Sequence, residues 1–132
     1  MVIGADTGFF IELTKDNSEA IKIWNKVLNG EEELIVSVIS LNELSVYFYR
    51  TGNIEKKNRL IDLIKSIPNI ELVPVTAKIA EESAKYRHSL GIPTADSLIL
   101  TTFILQSCKE IVATDRHFEK ADEQNLIKVK II

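Results

Sequence analysis

Scarce residue types exclude several classes of protein. The only cysteine is Cys108, so no internal disulfide forms, and a reducing cytoplasm suits the chain best. Five Gly and three Pro in 132 residues exclude collagen-like and low-complexity sequences. The two histidines, His88 and His117, and Cys108 lie far apart and lack zinc-ligand spacing, so each histidine is expected to be structural. Because Walker, dinucleotide-binding and serine-elbow motifs are also missing, nucleotide binding and serine chemistry have no support.

Long apolar runs are missing as well. None approaches the roughly 18 residues that a membrane-spanning helix needs. The first run, Val2 to Ala5, ends at Asp6 without a basic segment before it, so we expect neither an export signal nor a membrane contact. The net charge of −3 lacks the basic surplus of many nucleic-acid binders. A cluster of carboxylates that binds cations would also make the net charge more negative, so the net charge does not exclude a nucleic-acid substrate.

Length and apolar content favour a single compact unit. The chain has 132 residues, 45% of them hydrophobic, which is enough for a core without disulfides. It shows no linker and no internal repeat. We therefore predict one domain over residues 1–132.

Five short segments have the composition of β-strands. Four are rich in Val and Ile with little alternation, which is typical of strands buried on both faces. A fifth alternates apolar residues with Lys and predicts an edge strand. In chain order these segments are Met1–Ala5, Leu34–Val38, Ile70–Val75, Glu110–Thr114 and Ile127–Ile132.

Helical periodicity occupies the intervals between the strands. Gly91 is expected to end the fourth helix and Thr94 to cap the fifth, which is apolar almost all round and therefore central. In the first, Ile21, Trp24 and Leu28 share one stripe. The predicted helices are Ser18–Leu28, Leu41–Arg50, Ile54–Ile67, Ala77–Leu90 and Leu98–Leu105. This alternation predicts right-handed crossovers and a three-layer α/β/α sandwich around a mostly parallel sheet of about five strands.

Four acids stand where such a fold has its ligand site, beyond the carboxyl ends of the strands. Asp96 shares a helical stripe with Leu100 and Phe103 and so faces the packed side of its helix. The four are Asp6 after the first strand, Glu43 just into the helix after the second, Asp96 at the start of the apolar helix, and Asp115 after the fourth strand.

Each of these acids also has a local structural explanation. Asp6 and Asp115 suit helix caps, Ser40–Glu43 matches the S-x-x-E capping box, and Asp96 suits the positive end of its helix. Taken as a set, however, carboxylates gathered at one edge repel by about 4 kcal/mol per close pair at an effective dielectric of ~20. A bound cation relieves that repulsion, and oxygen-only ligands favour Mg²⁺ or Mn²⁺.

The segments around these acids resemble the PIN-domain family, especially the VapC toxin nucleases of VapBC toxin–antitoxin pairs. Their order and separation match the family's motifs across nearly the whole chain. The segments are Ala5–Ile11, Ser40–Leu44, Gly91–Leu98 and Ala113–Phe118.

The chain departs from the family pattern near two of these motifs. Gly8 replaces the Ser or Asn often found there, and His117 stands where a further Asp is frequent. Thr114 directly precedes Asp115, where one residue usually intervenes. These departures leave open whether Asp115 or Asp122 completes the acid cluster, and whether one metal ion or two bind.

The resemblance implies a metal-dependent endoribonuclease. Asp6, Glu43, Asp96 and Asp115 would be both catalytic residues and ligands of Mg²⁺ or Mn²⁺, with Thr7 as a possible support. It also implies an RNA substrate, a homodimer in the cytoplasm, and a small antitoxin that covers the cleft.

Other functions remain open at this stage. The same acid geometry suits a DNA nuclease or a phosphatase. A degenerate, non-catalytic domain that serves as an RNA-processing scaffold is the main alternative, and Gly8 and His117 favour it.

Overall fold

Five parallel strands form the single sheet of the computed structural model, which describes residues 1–132. The spatial order is β3-β2-β1-β4-β5, and every neighbouring pair is parallel. The first strand is therefore central and the fifth lies at an edge, as the alternating Lys pattern predicts. The strands are β1 Val2–Ala5, β2 Glu33–Ser37, β3 Ile70–Val73, β4 Glu110–Ala113 and β5 Lys128–Ile131.

Seven helices cover the two faces of the sheet and confirm the predicted three-layer sandwich. Helices α1 to α4 pack on one face, and α5 to α7 pack on the other. None of them combines the length and the apolar character that a membrane span requires. The helices are α1 Thr7–Thr14, α2 Ser18–Leu28, α3 Val38–Arg50, α4 Ile54–Ser66, α5 Ala77–Leu90, α6 Thr94–Leu105 and α7 Glu119–Glu123, with a 3₁₀ turn at Arg116–Phe118.

The alternation of side chains along β1 divides the core between these two faces. Ile3 and Ala5 belong to the cluster under α1 to α4. Gly4 points the other way, where a Cβ would lie only 2.5 Å from Cγ of Phe103 on α6. The missing side chain lets α6 pack directly against the central strand. This close contact brings the start of α6, with Asp96, to the edge where β1 ends.

Several predicted boundaries are wrong for identifiable local reasons. The second strand ends at Ser37 instead of Val38, because the Ser37 hydroxyl accepts the Ile39 N–H and starts α3 there. Pro93 rather than Thr94 is the N-cap of α6, since its extended backbone directs its carbonyl to the Ser97 N–H.

Two further differences concern α1 and α2. The sequence-based prediction contained no helix at Thr7–Thr14, which Asp6 caps by accepting the Phe9 N–H. In α2 the buried residues are Ala20, Ile23 and Val27, and Leu28 is 52% exposed. The predicted stripe was therefore rotated relative to the one that packs.

The contact between Gly4 and Phe103 yields a test of how α6 is seated. Gly4→Ala should destabilise the protein by about 1–3 kcal/mol, because the added carbon displaces the Phe103 ring from a filled core. Phe103→Leu should relieve part of this strain. In urea unfolding, the double variant should therefore be at least about 0.5 kcal/mol more stable than the sum of the two single changes in the free energy of unfolding predicts. Additive effects, or an unperturbed Gly4→Ala variant, would contradict this packing.

Candidate metal centre

All four predicted acids line one cleft of about 150 Å³ at the carboxyl edge of the sheet. The chain enters this edge after β1, β2 and β4, and α6 begins there. Thr7, Gly8 and Thr114 complete the polar wall, and no Lys or Arg lines the cleft. The lining acids are Asp6, Glu43, Asp96 and Asp115, and the apolar residues Ile11, Ile99 and Phe118 close the cleft.

Asp6 forms the buried floor of the cleft and is 3% exposed. Its Oδ1 accepts the Phe9 N–H at 2.8 Å, and its Oδ2 accepts the N–H groups of Thr114 and Asp115 at 3.2 and 3.4 Å. Burial raises the pKa of this carboxyl to about 6, although the three hydrogen bonds lower it, and the charge of Asp115 adds to the rise. The predicted cap is therefore confirmed, and the same carboxylate also faces the cleft.

Glu43 lies within α3 and does not serve the predicted capping box. Ser37 is the N-cap, so Ser40 and Glu43 are already inside the helix. Oε1 of Glu43 lies 2.6 Å from the Thr7 hydroxyl, which is also 2.9 Å from the Ser40 hydroxyl. A carboxylate only accepts hydrogen bonds, so Thr7 donates to Glu43. Thr7 thus orients the Glu43 carboxylate from the opposite wall.

Asp96 lies in the first turn of α6, which has no side-chain cap. Its side chain is 13% exposed, and its Oδ2 lies 2.7 Å from Nδ1 of His117. Burial raises the pKa of the Asp96 carboxyl; contact with His117 lowers it, and the charges of Asp115 and Glu43 raise it further. This mutual influence reflects how close the acids lie.

Asp115 stands at the rim, while Asp122 lies outside the cleft. Oδ1 of Asp115 accepts the His117 N–H at 2.9 Å, which confirms its predicted capping role at the 3₁₀ turn. Asp122 is exposed on α7, where its Oδ2 accepts the Val129 N–H at 2.9 Å. Arg116 points to solvent and pairs with Glu119 at 2.7 Å. The geometry therefore favours Asp115 over Asp122 as the fourth acid of the cleft.

Gly8 and Thr114 fill one space between them. A Cβ on Gly8 would lie 1.7 Å from Oγ1 of Thr114 and 2.9 Å from its Cβ. Rotation of the Thr114 side chain alone would not remove that overlap, since its Cβ does not move. The Thr114 hydroxyl thus occupies the space that a side chain at position 8 would take.

The donor set of the cleft fits a hard divalent cation. Four carboxylates line the cleft with oxygen ligands of the kind that Mg²⁺ and Mn²⁺ take, and no Lys or Arg lines it. The one group of three ligand atoms within 4.8 Å of one another comes from Asp96, Asp115 and His117, and it does not include Asp6 or Glu43. Burial, the main cause of the raised pKa of Asp6, leaves its ionised form poorly solvated, and a nearby cation would stabilise that form. We therefore regard the cleft as a candidate metal centre.

Thr7 was considered from the sequence as a support of the cluster, but its partner Glu43 was not found there. The position of His117, whose Nδ1 lies 2.7 Å from Asp96 and 3.0 Å from Asp115, was also not found. The only signal in the sequence that His117 lies near the acids was its position two residues after Asp115, where the family that the chain resembles often has an Asp.

The raised pKa of Asp6 predicts an unusual pH dependence of stability. The unfolded carboxyl loses its proton near pH 3.8, but the folded one keeps it to about pH 6. Without metal, the free energy of unfolding should therefore fall by on the order of 3 kcal/mol as the pH rises through this window. Asp96 adds a fall of the same sign.

Urea unfolding in EDTA between pH 4 and 7 measures this effect. Asp6→Asn should remove the Asp6 part of the slope, because an amide does not titrate. The amide NH₂ group of Asn could face the N–H groups of Thr114 and Asp115 and lower the overall stability. This loss would be the same at every pH, because it does not depend on the titration of residue 6. If the free energies of unfolding of the wild type and Asp6→Asn differ by the same amount at every pH from 4 to 7, the prediction is wrong.

Comparison with known proteins identifies a family for most of the chain. The PIN domain family model matches residues 4–124. A comparison with curated protein sequences finds no significant match.

Solved structures share the fold at low sequence identity. VapBC2 from Rickettsia felis, bound to a DNA fragment from its promoter, is 17% identical with a TM-score of 0.76, over 100% of this chain and 99% of that chain. VapBC-5 of Mycobacterium tuberculosis, from the VapBC family of toxin-antitoxin systems, is 18% identical with a TM-score of 0.67, over 99% and 98%. VapC20 of the same organism, a sarcin-ricin loop cleaving toxin, is 17% identical with a TM-score of 0.73, over 90% and 94%. With the family model matching most of its length, this chain belongs to the PIN-domain family.

Proposed function

We propose that this protein is a metal-dependent endoribonuclease that hydrolyses RNA phosphodiester bonds and acts as the toxin of a toxin–antitoxin pair. The observation that carries the proposal is the convergence of four carboxylates from distant parts of the chain on one cleft without a lining Lys or Arg. Membership of the PIN-domain family supports a nuclease, and the likeness to VapC20, a sarcin-ricin loop cleaving toxin, supports a toxin.

Asp6, Glu43, Asp96 and Asp115 would hold Mg²⁺ or Mn²⁺, directly or through water. The chemistry that such a cation supplies when bound is activation of a water molecule for in-line attack and neutralisation of the charge that develops on the phosphate. The side chains of the chain then need to supply no nucleophile. Their task is to hold the ion and orient what approaches it.

The protein fixes three of the four acids by different contacts. Three backbone N–H groups hold Asp6 at the floor of the cleft. The Thr7 hydroxyl orients Glu43, and the packing of α6 on β1 positions Asp96. Because these supports are backbone groups and short side chains, the acids lose little conformational freedom when an ion binds. Such preorganisation is what a hydrolytic metal site requires.

Cleavage assays on labelled RNA with Mg²⁺, Mn²⁺ or EDTA test the proposal. We expect cleavage with either metal and none in EDTA. Asp6→Asn and Asp96→Asn should each reduce the rate by at least about 100-fold, because each removes a carboxylate from the centre. Single-stranded DNA and a phosphomonoester in parallel assays separate the ribonuclease from a DNA nuclease or a phosphatase.

Matched variants make the assay decisive. Asp62→Asn and Asp122→Asn remove exposed acids outside the cleft and should retain the parental rate. Circular dichroism should show that all variants are folded. If Asp96→Asn cleaves RNA at the parental rate, the assignment is wrong. If the wild-type protein binds no divalent metal, the non-catalytic scaffold becomes the better explanation.

We further infer a small antitoxin partner, a homodimeric toxin and a cytoplasmic location. The likeness to VapBC structures supports the partner. An acidic cleft without a lining cation is complementary to a basic side chain of such a partner. Three consecutive aromatic residues of α3, Tyr47 to Tyr49, are candidates for the surface that such a partner contacts. Phe48 is buried in the core and Tyr47 is partly buried, so only Tyr49, which is 56% exposed, offers substantial free surface.

Co-expression of this chain with the products of its neighbouring genes tests the partner. We expect a stable complex in native mass spectrometry and inhibition of RNA cleavage by the partner. Analytical ultracentrifugation of the free protein should give a dimer. A chain that remains monomeric and is purified with no bound protein would oppose the toxin–antitoxin assignment, while leaving the nuclease assignment intact.

A further inference from the structure

His117 is held rigidly at the rim of the cleft. Its backbone N–H donates to Oδ1 of Asp115, which fixes the start of the 3₁₀ turn. The next residue, Phe118, is 1% exposed and anchors the end of the turn in the core. The ring therefore projects from a turn whose two ends are both fixed. The contacts of Nδ1 with Asp96 and Asp115 direct the ring towards the acids.

The imidazole nitrogen lies between two carboxylates. Nδ1 is 2.7 Å from Oδ2 of Asp96 and 3.0 Å from Oδ1 of Asp115, and one ligand atom from each of these residues falls within 4.8 Å of the others. Neighbouring ligands of an octahedral ion with bonds of about 2.1 Å are roughly 3.0 Å apart. The contacts between the nitrogen and the two oxygens therefore have the spacing of adjacent metal ligands.

We propose that His117 is a direct nitrogen ligand of the metal ion and, with Asp96 and Asp115, forms a mixed imidazole–carboxylate site that prefers Mn²⁺ to Mg²⁺. The inference rests on the proposed function, since it assumes that a divalent ion binds in this cleft. A nitrogen ligand moves preference away from Mg²⁺, which takes oxygen ligands, towards first-row transition ions.

The ring can supply this nitrogen without loss of contact to solvent. Ligation by Nδ1 requires the neutral tautomer with its proton on Nε2. The His117 side chain is 46% exposed, so water is available to the Nε2–H group. In the structure the same Nδ1 contacts both carboxylates and lies between their oxygens. The residue thus holds the two acids in the arrangement in which all three would share an ion.

Calorimetric titration with Mn²⁺ and with Mg²⁺ separates ligation from hydrogen bonding. His117→Asn retains an N–H donor near the position of Nδ1 but supplies no imidazole nitrogen. It should weaken Mn²⁺ binding by at least about tenfold, the lower limit of what loss of even an outer partner costs a metal site. Mg²⁺ affinity should change by less than about threefold, because Mg²⁺ relies on the oxygens. His88→Ala, which removes the other, exposed histidine, is the matched control and should behave as wild type.

Pulsed electron paramagnetic resonance of the Mn²⁺-loaded protein gives a readout independent of activity. The spectrum should contain a ¹⁴N coupling that changes to ¹⁵N when only histidine is labelled, and that is absent from His117→Asn and present in His88→Ala. A wild-type protein that binds Mn²⁺ without this coupling, or equal Mn²⁺ affinity in His117→Asn, would overturn the inference. In that case Mn²⁺-dependent RNA cleavage by the wild type would still support the proposed function, so the two failures are distinguishable.

Discussion

The centre depends on one buried carboxylate that joins two parts of the sheet edge. Asp6 accepts hydrogen bonds from the first turn of α1 and from the chain that leaves β4, two segments more than 100 residues apart in sequence. These bonds stabilise the ionised form, but burial opposes it more strongly, and the net result is a pKa of about 6. A carboxylate that is held firmly and yet incompletely stabilised is a suitable cation ligand. The other acids are arranged around this fixed point.

The layers and the sheet could be predicted from the sequence because burial imposes simple patterns. Central parallel strands must be apolar on both faces, and each of the four predicted ones exists within two residues of its expected ends. The helix α1 was missed because Gly8 to Ile11 is a short, continuous apolar run, and periodicity cannot assign such a run to a helix or a strand. In α2 two stripes rotated by one residue are both apolar, and only tertiary packing selects between them.

The four acids could be found because the fold brings strand ends to one edge, but the contacts that support Glu43 and Asp96 could not. The sequence motifs for a helix cap and for a metal ligand overlap, and Asp6 and Asp115 both cap a helix and line the cleft. Glu43 differs from these two acids, because it belongs to a capping-box motif but does not cap the helix, whose N-cap is Ser37. The position of His117 depends on a tight turn and on the burial of Phe118, and neither is visible in a local pattern.

The shared space of Gly8 and Thr114 constrains the order in which this part of the cleft can change during evolution. A side chain introduced at position 8 first would overlap Thr114, so that intermediate protein would be disrupted before any benefit appeared. Reduction of residue 114 to Gly first leaves a small gap, which a later Ser at position 8 can fill. The two routes end at the same pair of residues, but only the second avoids an overlap of atoms in its intermediate. Among homologues, the residues at these two positions are therefore expected to covary.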